Sequence, residues 1–213
     1  METKQRNVAI MLFEEIEVLD FAGPFEVFNV TAELNDPAPF NVFTVAETHA
    51  PIKTRGKLSI NPNYSIHSMP PADILIIPGG AGSRGLLKKP HVLEWLNQQF
   101  EQVEKLVSVC TGSLVLGKAG LLDNLPATTH HGNLDDLRRL APTTIVIDDK
   151  RYVDTPKIIT SGGISAGIDM SLYLVRELLG DEVLRKTLAE MEYPWTPELN
   201  LTWKDNLKQW NPA

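Results

Sequence analysis

The stretch KLVSVCTGSLVLGKAGLL, residues 105–122, determines the fold expected for this chain of 213 residues. Its apolar segment 106–109 predicts a short buried strand, and the pattern of 114–119 predicts a helix that ends at Gly120. Cys110 stands at the abrupt turn between them and is the only cysteine in the sequence. The stretch therefore predicts a strand, a sharp turn and a helix, with a candidate nucleophile at the turn.

The same alternation of apolar, β-branched segments and helical patterns continues along most of the chain. It predicts an α/β fold with a mostly parallel central sheet and helices on both faces. Pro24 is expected in the first turn of a helix, and Gly56 is expected to supply a hairpin turn. The predicted strands are 8–13, 40–46, 74–77, 106–109, 143–147, 151–154 and 158–160, with a hairpin at 51–61, and the predicted helices are 24–34, 90–102, 114–119, 166–179 and 181–191.

Composition narrows the classes of function. The net charge is −7 and the isoelectric point is about 5.2, so the surface repels phosphate backbones and anionic lipids, which disfavours nucleic acid and membrane partners. One cysteine cannot form an intramolecular disulfide, and no apolar segment is long enough for a signal peptide or a membrane span. We therefore expect a cytoplasmic protein with a single domain over 1–213, in which 194–213 forms an irregular arm.

Cys110 has two interpretations. In the first it is the nucleophile of an elbow, because the small neighbours Ser108, Gly112 and Ser113 permit a strained turn that projects the side chain. A helix that begins just after the sulfur would also favour the thiolate and lower the pKa of the thiol. In the second interpretation Cys110 is a buried structural residue that behaves as a small hydrophobe.

Two further loops are expected at the carboxyl ends of strands, where the reactive groups of parallel sheets lie. Gly79 and Gly80 follow the strand 74–77 and could present bare backbone N–H groups to a developing negative charge, or form an ordinary turn. Asp20 is expected in a loop after the first strand, ahead of a helix. There it could serve as a general acid or base, or it could cap the helix.

His130 is a further candidate, because it lies twenty residues after Cys110 and could return to it after one helix. The alternative is a structural histidine, and His131 would point the opposite way in extended chain. Ile164 and Ser165 precede a helix and could line a pocket, although the glycines around them also suit close helix packing. No His-Glu-x-x-His motif or clustered Cys/His spacing occurs, so we expect neither a metal nor another cofactor.

Taken in order and spacing, several segments together resemble the ThiJ/PfpI superfamily, over roughly residues 7–195. That resemblance implies a class I glutamine amidotransferase-like fold, which is a flavodoxin-like three-layer sandwich with a nucleophile elbow. The combination of LDFAGP, VCTGSLVLGKAGLL and GGISAGID is most similar to the isonitrile hydratase branch. The segments that carry the resemblance are LDFAGPFEVF, ILIIPGGAG, VSVCTGSLVLGKAGLL, ATTHH, TSGGISAGIDMSLYLVREL and EMEYPW.

The resemblance also implies roles for individual residues and a homodimer. Asp20 stands where protease-like and glyoxalase-like branches have Glu, and Thr111 stands where proteases have His, which disfavours peptidase and glyoxalase activity. The implied roles are the nucleophile for Cys110, its neighbour for Thr111, the acid near the first strand for Asp20, backbone donors for Gly79 and Gly80, and the histidine that other branches pair with the cysteine for His130.

The expected function is a cofactor-independent lyase that acts on a small-molecule substrate. Cys110 would attack an isonitrile to form a thioimidate, which water would convert to an N-substituted formamide. One alternative is a glyoxalase-, deglycase- or amidase-like enzyme that uses Cys110 with His130 as the base. Two alternatives are not enzymes: a ligand-sensing domain related to AraC-type transcription regulators, and a redox or stress sensor that works through oxidation of Cys110.

Overall fold

The structure, a computed structural model, describes residues 4–195. Within that range there are eleven strands and seven helices, and one 3-10 turn covers His131–Asn133. The strands are β1 (Arg6–Leu12), β2 (Phe40–Ala46), β3 (Ile52–Lys53), β4 (Ser59–Ile60), β5 (Tyr64–Ser65), β6 (Ile74–Ile77), β7 (Lys105–Val109), β8 (Pro126–Ala127), β9 (Ile145–Val146), β10 (Tyr152–Asp154) and β11 (Ile158–Ser161). The helices are α1 (Val18–Glu33), α2 (Ser83–Leu86), α3 (Pro90–Gln102), α4 (Gly112–Lys118), α5 (Leu134–Leu140), α6 (Ala166–Leu179) and α7 (Asp181–Glu190).

In the described part of the chain, seven strands form the central sheet in the order β10-β11-β7-β6-β1-β2-β5. All neighbouring pairs are parallel except β10 and β11, which are antiparallel at one edge. Five of these strands, renumbered 1 to 5 in chain order, lie in the order 2-1-3-4-5 that flavodoxin-like folds show. They are β1, β2, β6, β7 and β11. The predicted fold class, with a mostly parallel central sheet, is therefore confirmed.

The central strands are buried on both faces of the sheet. Every residue of β6 and β11 is buried, and β1 and β7 are partly exposed only at their first residues. Strands of this kind need helices on each side, because neither face can stay in contact with water. One group of helices is α1, α6 and α7, which pack together, and a second is α2, α4 and α5, in which α4 lies on β6 and β7.

Helix α1 begins earlier than predicted. It starts at Val18, and Pro24 is inside the helix rather than in its first turn. The prediction was wrong because proline was taken as a start signal, whereas its missing N–H removes only the bond to the carbonyl four residues earlier. Asp20 therefore lies in the first turn of α1 and not in a loop, and it is not the cap, because the N-cap residue is Glu17.

The other predicted elements agree with the structure to within two residues, and β2, β6, α3 and α6 coincide with their predictions. The hairpin at 51–61 is confirmed as β3 and β4, but the positive φ of its turn, 66°, falls on Lys57 and not on Gly56. Four short elements were not predicted, namely β5, β8, α2 and α5. The predicted arm at 194–213 lies outside the described residues from residue 196 onward.

The strand order brings together the segments that follow three strands, at the carboxyl ends of those strands. In this fold the order in which successive strands are added to the sheet reverses between β1 and β6. Ligands bind at the carboxyl ends of the strands beside that point. The first turn of α1 follows β1, Gly79 and Gly80 follow β6, and Cys110 follows β7. Because β1, β6 and β7 are neighbours, the candidate residues meet at a single position.

We expect Gly112→Ala to destabilise the protein by about 2 kcal/mol, because the added Cβ would lie 2.0 Å from the Ile77 carbonyl oxygen. Gly85→Ala is the matched control, since nothing lies within 4 Å of the position that its methyl group would take, and the residue is helical. Thermal melting should show a loss of roughly 4–8 °C for Gly112→Ala and little change for Gly85→Ala. Equal melting temperatures for the two variants would contradict this account of the turn.

Candidate active site

Cys110 occupies a strained turn that the surrounding backbone holds in place. Its φ is 56°, in the left-handed region that non-glycine residues rarely adopt. The Cys110 N–H donates to the carbonyl oxygens of Ser161 and Gly162 at 3.1 and 3.2 Å. The Cys110 carbonyl oxygen accepts from Ser113 Oγ at 3.1 Å and from Thr129 Oγ1 at 2.9 Å. The geometry is that of a nucleophile elbow, with the side chain projected toward the edge of the sheet.

Glycine is required at two positions around the sulfur. A Cβ on Gly163 would lie 2.9 Å from Cys110 Sγ and 2.5 Å from His130 Cδ2. A Cβ on Gly79 would lie 2.7 Å from Thr111 Oγ1 and 2.8 Å from Asp20 Oδ2. The structure therefore brings Cys110, Thr111, Asp20 and His130 around these two glycines. Side chains at either position would displace the candidate groups.

Asp20 is fully buried beside this turn. Its Oδ2 accepts a hydrogen bond from the Gly79 N–H at 3.1 Å. Among the described residues Oδ1 has no partner that meets strict hydrogen-bond geometry, yet the Cys110 thiol is near enough to act on the pKa of this carboxyl. Burial raises the pKa of Asp20 to about 7, and the contacts with Cys110 and Gly79 oppose the rise.

The pKa of the Cys110 thiol shifts in the direction opposite to the sequence prediction. Burial raises the pKa of the thiol well above its ordinary range, and the charge of Asp20 raises it further. The prediction of a lowered thiol pKa was wrong because α4 has only seven residues and its effect is outweighed by burial, although contacts from Thr111 do oppose the rise. These effects favour the protonated thiol, and a role as nucleophile would require a neighbouring base.

Thr111 connects the elbow to the loop after β6. Its hydroxyl accepts from the Gly80 N–H at 3.0 Å and from Ser83 Oγ at 3.0 Å, and it reaches the Gly80 carbonyl oxygen at 3.1 Å. The N–H groups of Gly79 and Gly80 thus already donate to Asp20 and Thr111. Their role as donors to a substrate stays a prediction, and it requires them to exchange these partners.

A cavity of about 290 Å³ opens above the sulfur. Cys110, Thr111 and Gly80 form part of its lining, and His130 and Ile164 also face it. Among the residues predicted to line a pocket, Ile164 therefore does so. Ser165 instead lines an adjacent cavity of about 280 Å³, where its hydroxyl accepts from Arg151 Nη2 at 3.0 Å.

His130 lies at the site but is not arranged as a base. Its Nδ1 accepts a hydrogen bond from the Gly132 N–H at 3.1 Å, so in the neutral ring the proton is on Nε2. Burial lowers the pKa of His130, and the nearby His131 and Arg55 lower it further. His131 stacks on it with ring centroids 4.4 Å apart. No hydrogen bond from His130 to the cysteine is present within residues 4–195.

Among the described residues, four polar residues of this lining were missed by sequence reasoning: Glu17, Arg55, Arg84 and Asn133. Arg55 Nη1 pairs with Glu17 Oε2 at 3.2 Å, and Arg84 Nη2 pairs with Asp136 Oδ2 at 3.2 Å. Glu17 immediately precedes α1, and the other three come from the β3–β4 hairpin, α2 and the segment after His130. No local motif marks them, because only the packing of distant segments brings them to one rim.

Residues 4–195 lack two features that other classes of function would require. The described part of the chain contains no group of three or more His, Cys, Asp or Glu side chains that could hold a metal ion. None of its helices combines the length and the apolar character that crossing a bilayer requires.

We expect Asp20→Asn to gain stability relative to the wild type as the pH rises. The folded-state pKa of about 7 exceeds the ordinary value of 3.8, so the stabilisation from this group is complete below pH 3.8 and is lost as the pH rises through 7. Asn carries no such cost. The measurement is the unfolding free energy of Asp20→Asn minus that of the wild type, obtained from denaturant unfolding. Between pH 5 and pH 8 this difference should rise in favour of the variant by about 2 kcal/mol or more. A difference that is independent of pH would contradict the raised pKa.

Known proteins with different roles are similar to this chain. Isonitrile hydratase of Pseudomonas putida is 36% identical over 192 residues, which cover 90% of this chain and 80% of that protein. The helix-turn-helix-type transcriptional regulator GbdR of Pseudomonas aeruginosa is 26% identical over 186 residues, and this chain spans 50% of its length. A solved structure of a ThiJ/PfpI family protein from Pseudomonas syringae superposes with a TM-score of 0.82 at 26% identity, covering 93% of this chain and 79% of that one.

The sequence profile of one family matches most of the chain. It covers residues 6–177, which include the turn of Cys110, the first turn of α1 and the loop after β6. The matched segment therefore contains every candidate catalytic residue described above. The chain belongs to the DJ-1/PfpI family.

Proposed function

We propose that the protein is a cysteine-dependent lyase that hydrates small isonitriles to N-substituted formamides. The observation that carries the proposal is the buried contact between Asp20 and the Cys110 thiol at a strained elbow. A buried acid with a pKa of about 7 can both accept and return a proton at neutral pH. The similarity to an isonitrile hydratase supports the same reaction.

In the first step the Asp20 carboxylate takes the thiol proton while Cys110 Sγ forms a bond to the terminal isonitrile carbon. The proton then moves from Asp20 to that carbon, and the result is a thioimidate in which the carbon carries one hydrogen. The proton that leaves sulfur thus ends on carbon, so no other donor is needed. Asp20 is suited to this shuttle because burial places its pKa near the working pH.

In the second step water adds to the thioimidate carbon, and Asp20 accepts one of its protons. The carbon–sulfur bond breaks, the nitrogen receives a proton, and the N-substituted formamide leaves. The thiol regains its proton, so the cycle consumes one isonitrile and one water. Thr111 supports both steps by its contacts with the sulfur and by holding Gly80, which keeps the loop after β6 against the elbow.

The similarity to the regulator GbdR favours a second candidate, a ligand-sensing domain. In that case the cavity would bind a small molecule without turnover, and Cys110 would be a contact residue. Three expectations also stay predictions: the single domain over 1–213, a homodimer and a cytoplasmic location.

Turnover of an aryl isonitrile such as p-nitrophenyl isocyanide tests the proposal directly. We expect formamide formation by the wild type, no turnover by Cys110→Ala, and a loss of roughly a hundredfold or more in kcat/KM for Asp20→Asn because the thiol loses its base. Gly85→Ala serves as the control with normal activity. A wild type that is inert toward a panel of isonitriles, but binds one of them, would favour the sensing domain instead.

The pH dependence of kcat/KM should follow the ionisation of Asp20. Because the shuttle starts from the Asp20 carboxylate, kcat/KM should rise through pH 7 and fall about tenfold for each unit below it. The measurement is kcat/KM between about pH 5 and about pH 8.5. A profile with no inflection near pH 7 would argue against Asp20 as the base.

His130→Ala separates this mechanism from one with a histidine base. We expect a loss of kcat/KM below about tenfold, because the Nδ1 of His130 is already engaged by the Gly132 N–H. A loss as large as that of Asp20→Asn, together with activity toward methylglyoxal or an amide, would instead support a glyoxalase- or amidase-like enzyme.

A further inference from the structure

The rim of the cavity above Cys110 carries charge that the proposed reaction does not use. Arg55 and Arg84 both line the cavity, together with Glu17. Asp136, which pairs with Arg84, lines a neighbouring pocket and not this one. Among residues 4–195, the charged side chains that line the cavity therefore carry two positive charges and one negative charge. This balance is opposite in sign to the net charge of −7 on the whole chain.

Both arginines retain the capacity to bind an anion. Arg55 contacts Glu17 through Nη1, and Arg84 contacts Asp136 through Nη2. A guanidinium group has five N–H donors in a planar fork that matches a carboxylate, so these pairs leave further donors on each group. The charge of Arg55 also reaches the site, because it contributes to the lowered pKa of His130.

The cavity also has apolar lining. Ile164 and Ala81 line it together with Cys110, as does His130, whose pKa burial lowers. A molecule that fits would place a reactive carbon at the sulfur, a small apolar body against Ile164, and an anionic group at the arginines. The volume of about 290 Å³ restricts it to a small molecule.

We propose that Arg55 and Arg84 determine specificity, and that they select small substrates that carry a carboxylate on the side away from the carbon attacked by Cys110. This inference rests on the proposed function for the identity of the reaction, which makes the substrate class that of isonitriles with a carboxylate. The selection of an anion by the rim is a separate property of the same cavity. It can be measured without any turnover.

Alkylation of Cys110 provides that measurement, because it is the only cysteine in the chain. The same thiolate attacks the CH2 carbon of iodoacetate and of iodoacetamide and displaces iodide from each. The two reagents differ in charge, so the ratio of their rates cancels any change in the thiol pKa. We expect the ratio of iodoacetate to iodoacetamide to fall roughly threefold for Arg55→Gln or Arg84→Gln, and further for the double variant. Mass spectrometry of the intact protein gives both rates.

Arg185→Gln is the matched control, because Arg185 is exposed on α7, lines none of these cavities and changes the net charge equally. The rate with iodoacetamide and the melting temperature show whether each variant keeps its fold. A double variant whose ratio equals that of Arg185→Gln would overturn the inference. A ratio that falls only in the rim variants would support it.

Turnover of a charged and an uncharged isonitrile gives a second, independent test of the inference. With p-isocyanobenzoate and its methyl ester as substrates, we expect the wild type to prefer the acid and the double variant to lose that preference roughly five- to tenfold, with the rate for the ester unchanged. A preference that survives in the double variant would overturn the inference. If no isonitrile is turned over but the alkylation ratio still falls in the rim variants, the proposed function fails and the selection of an anion stands.

Discussion

The hydrogen bonds that hold the Cys110 N–H between the carbonyl oxygens of Ser161 and Gly162 are the constraint on which the site depends. They tie the end of β7 to the end of β11 and stabilise a left-handed conformation that a cysteine would otherwise avoid. The bond from Thr129 to the Cys110 carbonyl adds the segment that leads to His130. Several strand ends are therefore fixed relative to the sulfur before any substrate arrives.

Asp20 is buried next to the turn that these hydrogen bonds hold. In the first turn of α1 its side chain points into the sheet edge, where Gly79 supplies one hydrogen bond. A carboxyl in that place is costly to ionise, and the same burial makes the neighbouring thiol reluctant to lose its proton. Two groups that each resist ionisation form a pair that holds a proton near neutral pH. The chemistry of the site follows from desolvation more than from the dipole of the short helix α4.

The sequence predicts the sheet well because its strands are short apolar segments with strong local signals. The turn at Cys110 and the glycines after β6 could be placed for the same reason. The start of α1 could not, because Pro24 gives a local signal for a helix start that the packing of the preceding turn overrides. The sign of the pKa shift at Cys110 also depends on burial, which no local pattern reports. Arg55, Arg84 and Asn133 reach the cavity from three distant segments, so their position is set by tertiary packing alone.

The floor and the rim of the cavity come from different kinds of structure. Cys110, Thr111 and Asp20 sit where central strands end, and a change there disturbs backbone that the whole sheet shares. The rim arginines sit on a two-stranded hairpin and on a four-residue helix, which are peripheral elements. Under the proposed selection of anions by the rim, replacement of a rim side chain alters which ligand enters without altering the groups proposed to react. An architecture divided in this way can retain one nucleophile while its ligand changes in small steps, which gives a physical reason why proteins with different roles share this fold.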